Sequence, residues 1–159
     1  MKEQITLRDA TAEDLPFLAL VYWDTRRQEV DAWGWPPEQQ KLFLEMQFHA
    51  RRQWYRAAYP NAADYIICHE NAAVGYMVVS RDDAEEQLID IALLGEYRNH
   101  GIGTSLLRRL LEECEARGRA LRLQALKSNP AIRLYQRLGF VQSGADDMYA
   151  QLQWRPPAH

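Results

Sequence analysis

The stretch Arg98-Asn99-His100-Gly101-Ile102-Gly103-Thr104 has the residue types of an anion site. It follows an apolar run from Leu88 to Leu94, broken only by Asp90. After it, Leu106, Leu107, Leu110, Leu111 and Cys114 recur at helical spacing. Glu113 and Arg117 lie one turn apart on that helix, and Gly118 stops it. The spacing predicts strand, glycine-containing turn, helix. Gly101 and Gly103 let backbone N–H groups converge with no side chain in the way. The helix N-terminus behind them adds free donors and the positive end of a dipole. Such a turn takes a phosphate or pyrophosphate on the N–H groups of Asn99 to Thr104, with Arg98 beside it as charged partner. Three cofactor classes use this device. A dinucleotide turn requires a third glycine where Leu106 stands, and a P-loop requires a Lys after Gly103, where Thr104 stands.

Asp90 is the second residue type with chemical potential, as the only carboxylate inside the apolar run. A carboxylate there is costly unless it is paired or functional, so it reads either as a general base or as the partner of an Arg. Glu85, Glu86 and Gln87 at the start of the run read as solvated turn residues. The four His (His49, His69, His100 and His159) are too scattered for a zinc set, and His69-Glu70-Asn71 is not H-E-x-x-H. Cys68 and His69 are adjacent on a strand pattern, so their side chains point to opposite faces and cannot form a nucleophile–base pair. No G-x-S-x-G occurs, and no metal is implied.

What fits the turn is R-x-x-G-x-G, which resembles the acetyl-CoA pyrophosphate motif of the GNAT N-acetyltransferase superfamily. Glu96-Tyr97-Arg98 precedes the glycines. Downstream, Asn129-Pro130-Ala131-Ile132-Arg133-Leu134-Tyr135 with Leu138-Gly139-Phe140 is similar to that family's N-x-A-x-x-L-Y-x-x-x-G-F element, at the expected distance. Two departures stand out: Gly95 replaces the usual Pro, and Asn99-His100 replace the common Gly-Lys or Gly-Arg. Neither removes a backbone donor. The resemblance implies an acetyl-CoA-dependent N-acetyltransferase that moves the acetyl group from the thioester to a primary amine by direct attack in a ternary complex. It implies backbone contacts from Ala92, Leu93 and Leu94 to the pantetheine arm, and pyrophosphate contacts along Arg98, Asn99, His100, Gly101, Ile102, Gly103 and Thr104. Tyr135 matches the tyrosine that protonates the leaving thiolate, and Asp90 the acidic residue that takes the amine's proton, directly or through water. Asn129 either meets the cofactor arm or caps its helix. Two rivals keep the fold: a non-catalytic acyl-CoA-binding or regulatory domain, and an acyltransferase using a longer acyl-CoA.

The elements that position these residues follow from pattern. Ile5 and Leu7 alternate as a short strand. Thr11 to Asp14 start a helix with Pro16 in its first turn and Leu15, Leu18, Ala19 and Tyr22 as its stripe. The segment 31–37 breaks it. A long helix over about 38–58 carries Phe43, Met46, Ala50, Trp54 and Ala57 on one face. Tyr65–Cys68 and Val74–Val79 form a hairpin turning at Glu70-Asn71. Leu121, Leu123 and Ala125 alternate as another strand. Pro130 at a first helical position makes Asn129 the N-cap, and Gly139 ends that helix. Phe140-Val141 and then Met148, Ala150, Leu152 and Trp154 close the chain as strands. The order βααβββαβαββ predicts an α/β fold with a mixed, mostly antiparallel twisted sheet flanked by helices, which is the GNAT order.

Composition bounds the rest. The 159 residues suit a single domain over 1–154, with 155–159 as a tail. A net charge of -3 argues against nucleic acid. The N-terminus lacks a signal peptide's apolar core, and no long apolar run is present, so no membrane role and a cytoplasmic location are expected. Two cysteines without C-x-x-C spacing read as buried thiols. Residues 95–140 carry nine Arg or Lys against four Asp or Glu, while residues 1–94 carry nine against sixteen. A basic half suits a polyanionic cofactor, and an acidic half suits a cationic amine, small molecule or peptide. The aromatic residues Trp33, Trp35, Phe48, Trp54 and Tyr55, with Glu45 and Gln47, fall on segments that wall the acceptor cleft in that family. A homodimer is left open.

Overall fold

A computed structural model of the chain describes residues 4–157. The elements are β1 (Ile5–Asp9), α1 (Leu15–Asp31), α2 (Pro37–Ala58), β2 (Ala62–His69), β3 (Ala72–Arg81), β4 (Glu85–Leu93), α3 (Ile102–Arg117), β5 (Ala120–Leu126), α4 (Ile132–Arg137), β6 (Val141–Ala145) and β7 (Tyr149–Trp154). This is the expected order, and the strands form one seven-stranded sheet, β1-β2-β3-β4-β5-β7-β6. Only β4 and β5 run parallel; every other neighbouring pair is antiparallel. The turn between β2 and β3 is made by Glu70 (φ 50°) and Asn71 (φ 71°), the two left-handed residues a tight hairpin demands. Part of the expected tail, 155–159, lies outside the described residues, as does His159.

Alternation along the strands feeds two apolar layers. Ile67, Met77, Val79, Leu88, Leu121 and Leu123 face α3 and α4, where they meet Leu106, Leu107, Leu110 and Tyr135. Ile66, Cys68, Tyr76 and Val78 face α1 and α2, against Leu18, Val21, Tyr22, Leu44 and Phe48. Both cysteines are free and buried, Cys68 in one layer and Cys114 in the other.

Four expectations are corrected by the structure. In α2 the buried stripe is Gln40, Leu44, Phe48 and Tyr55, while Met46 and Trp54 are 64% and 51% exposed. The helix carries apolar residues on two adjacent stripes, and the one set by Leu44 and Phe48 docks on the sheet. Leu15 likewise points outward, and Val21 and Val30 join Leu18 and Tyr22 in the core of α1. Glu86 is not a solvated turn residue. It pairs with Leu121 across β4 and β5 and is fully buried, with Arg117 Nη1 at 3.5 Å and Arg81 Nε at 3.7 Å. Burial first, then the neighbouring Glu113, raises its carboxyl above the ordinary value. α4 also starts later than Pro130, at Ile132 with Ala131 as its N-cap, so Asn129 is not the cap but a residue of the preceding turn, where its Oδ1 accepts the N–H of Ala131 at 2.9 Å.

Candidate active site

The site is made by a fault in the sheet. Across β3 and β4, Val78 faces Asp90 while Val79 faces Leu88, so Ile89 is an extra residue on β4. Such a bulge bends its strand and shifts the alternation beyond it. In regular alternation Asp90 would follow Leu88 into the α3 layer. Instead both Ile89 and Asp90 face α2, and Ile91 resumes the α3 side. Pairing between β4 and β5 covers only Glu85↔Ala120 to Leu88↔Leu123, although β4 runs to Leu93 and β5 to Leu126. The two parallel strands part at the bulge.

On the α3 side of this opening lies the glycine turn. Asn99 (φ 64°) and Gly101 (φ 81°) both take left-handed backbone, and Gly101 caps α3. Residues alternating in this way aim successive N–H groups into one concavity. The first N–H to close a helical bond is that of Ser105, on Gly101 O at 3.0 Å, so the donors of Ile102, Gly103 and Thr104 lack helical acceptors. A Cβ built at Gly101 or Gly103 would meet nothing within 4 Å, so the space before the turn is open. His100 is exposed on the same turn. The residues present therefore fit a pyrophosphate.

Arg98 is placed differently from a free phosphate ligand. Its Nη2 bonds Asp24 Oδ2 at 2.9 Å and its Nε bonds the Leu93 carbonyl at 2.9 Å, while Gly95 N–H donates to the same Asp24 oxygen at 2.7 Å. The side chain ties α1, the end of β4 and the turn together. Among the expected strand contacts, the N–H of Leu94 is on Val74 O at 2.9 Å. Antiparallel ladders alternate sides, so Leu94 and Ala92 bond toward β3 while Leu93 turns away from it, its carbonyl held by Arg98 and its N–H facing the opening.

Tyr135 approaches from α4. It is 7% exposed, with its ring 5.8 Å from that of Phe140 at 61°. Its hydroxyl makes no hydrogen bond among the described residues. Burial first, then the negative charge of Asp90, raises its phenol above the ordinary value, so it stays protonated and able to donate.

Asp90 stands on the opposite face and is paired. Its Oδ2 lies 3.2 Å from Arg51 Nε and accepts the Tyr76 hydroxyl at 3.2 Å. Burial, then Asp90, pushes the Tyr76 phenol well up. Beside this pair a cleft of about 290 Å³ is lined by Arg51, Trp54, Tyr59, Gln87, Leu88, Ile89, Gln124 and Tyr149. Trp54 and Tyr59 meet edge to face at 6.1 Å. Arg51 is the only formal charge among these lining residues, so the acids of the N-terminal half do not gather here. Sequence reasoning missed Arg51, Tyr59, Gln124 and Tyr149. Arg51 is 39 residues from Asp90 on an amphipathic helix, and nothing local marks it.

Residues 18–140 match the profile of the Acetyltransferase (GNAT) family. A curated relative, the L-methionine sulfoximine/L-methionine sulfone acetyltransferase of Pseudomonas paraeruginosa, is 25% identical over 161 residues, covering 87% of this chain and 81% of the relative. Among solved structures, the PaiA N-acetyltransferase of Thermoplasma acidophilum in complex with coenzyme A superposes with a TM-score of 0.70 at 16% identity, over 96% of this chain and 99% of that one. The ribosomal-protein-S18-alanine N-acetyltransferase of Escherichia coli gives 0.64 at 21% identity, over 98% and 97%. The chain belongs to the GNAT family: it is an N-acetyltransferase, and acetyl-CoA is its acetyl donor.

Proposed function

We propose that the protein transfers an acetyl group directly to the amine of a small, carboxylate-bearing acceptor, amino-acid-like in size and charge, bound in the cleft beside Arg51. The observation that carries this is the opening between β4 and β5. It has the glycine turn and Tyr135 on one face and the cleft on the other, so donor and acceptor meet through the sheet. Acetyl-CoA supplies an activated acetyl thioester. The N–H groups of Asn99 to Thr104 hold its pyrophosphate, the Leu93 N–H guides the pantetheine arm while Ala92 and Leu94 stay bonded to β3, and the Asp24–Arg98 tie keeps the turn in register. The Asn129 side chain fixes the turn before α4.

The amine nitrogen bonds to the thioester carbonyl carbon as the carbon–sulfur bond breaks. Tyr135 gives its proton to the departing sulfur and recovers one from solvent. Asp90 takes the proton lost by the nitrogen through a bridging water, because Arg51 rather than Asp90 lines the cleft. The acceptor class is supported by two facts: a volume near the lower end for small-ligand sites, and a single, positive lining charge. The curated relative named for an amino-acid sulfone and sulfoximine has the same acceptor chemistry. The test is initial velocity with acetyl-CoA and L-methionine sulfone, beside pairs of amino acids and their decarboxylated amines. Intersecting double-reciprocal lines and preference for the carboxylate member are expected. Parallel lines, or preference for the decarboxylated amines, would overturn the mechanism or the acceptor class respectively.

A further inference from the structure

The bulge that opens the sheet is held from outside the sheet. An extra residue leaves backbone groups without ladder partners, and at Ile89 the carbonyl is taken by Arg51 Nη2 at 3.2 Å. The same guanidinium reaches Asp90 with Nε at 3.2 Å, so one side chain of α2 grips two consecutive residues of the bulge. Its planar fork suits this, since two acceptors can be met from one fixed geometry.

Anchoring the helix does not require it. Arg52 bonds Asp64 at 3.2 Å and the Tyr55 hydroxyl at 2.7 Å, and Arg56 bonds Asp64 at 2.9 Å, so α2 is already fastened to β2. Arg51 has no other hydrogen-bond or ion-pair partner among the described residues, and it lines the cleft three residues before Trp54.

We propose that Arg51 is a positioning residue that sets the width of the opening between β4 and β5, so that a helix on the acceptor face shapes the slot for the donor's pantetheine arm. The inference rests on the proposed use of that opening, but not on Asp90 being the base. Without Arg51, the Ile89 carbonyl and Asp90 lose their common donor, the bulge relaxes, and the edge at Leu93 moves. A displacement on the order of 1 Å is enough to misplace reacting atoms.

The test uses the full chain with Arg51→Ala, Arg51→Lys and, as a control on the same helix, Arg56→Ala. Binding of acetyl-CoA and of adenosine 3′,5′-bisphosphate, which lacks the pantetheine arm, is measured for each by calorimetry, with melting temperatures alongside. Arg51→Ala should weaken acetyl-CoA binding roughly tenfold, and kcat with the best amine of the panel should fall roughly ten- to hundredfold. Arg51→Lys should recover part of both, and bisphosphate binding should stay as in wild type throughout. Wild-type acetyl-CoA affinity in Arg51→Ala, or an equal loss in Arg56→Ala or in bisphosphate binding, would overturn the assignment. A wild-type protein that binds acetyl-CoA no better than the bisphosphate would instead sink the proposed use of the opening itself.

Discussion

Tyr135 carries the most specific chemical assignment, because burial and the charge of Asp90 raise its phenol and its hydroxyl makes no hydrogen bond among the described residues. Tyr135→Phe keeps the ring against Phe140 and removes only the hydroxyl. Its kcat should fall by roughly 10²–10⁴, the range for a positioned acid, with melting temperature and acetyl-CoA affinity nearly unchanged. Equal kcat values under rate-limiting chemistry would remove the residue from the mechanism. Glu86 offers a stability test of the opposite kind. Its carboxyl is raised in the folded protein, so its contribution is full below the ordinary carboxylate value and is lost as pH rises through the raised one. The melting temperature of wild type relative to Glu86→Gln should therefore be highest in acid and decline toward neutral pH; a gap independent of pH would contradict the burial argument. Tyr135 was legible because a whole motif surrounds it. Glu86 and Arg51 were not, since charged residues near a turn and on an exposed helix face look solvated until tertiary packing covers them.

At the scale of elements, the proposed function rests on the bulge in β4 and the turn before α3. Strand, turn and helix could be read from the spacing around Gly101 and Gly103, down to the stop at Gly118. The bulge could not, because an apolar run fits regular alternation equally well and only the register against β3 exposes the extra residue. The α2 stripe misled for a similar reason: Trp54 lines the cleft, and the core stripe beside it begins with the polar Gln40. The turn gives a clean test. Gly103 has open space around its Cα and no positive φ, so Gly103→Val should fold normally while filling the space a phosphate would enter. Acetyl-CoA affinity should drop at least tenfold, measured by calorimetry; normal binding would remove the turn from the site. Gly75 tests the neighbouring edge. A Cβ there would run into the Ala92 carbonyl and the Leu93 backbone, so Gly75→Ala should lower both stability and acetyl-CoA affinity. An unperturbed melting curve with normal binding would show that this end of β4 yields freely.

For the whole molecule, the sheet is a partition with a slot. One face presents the glycine turn and Tyr135, the other the cleft lined by Arg51, and β4 parts from β5 between them. The acidic half of the sequence does not make an acidic cleft, because its acids pair with arginines: Asp14 with Arg8, Asp64 with Arg52, Asp24 with Arg98. Acetyl-CoA at a hundredfold excess over its Kd should stabilise the fold by about 2.7 kcal/mol. The most direct test of the central claim is a stoichiometric one: wild-type protein with acetyl-CoA and the carboxylate-bearing amine panel, following free coenzyme A and acetylated amine together. Coenzyme A release should depend on the amine and match acetylated product one for one. Tight acetyl-CoA binding with no amine accelerating its breakdown would contradict the claim.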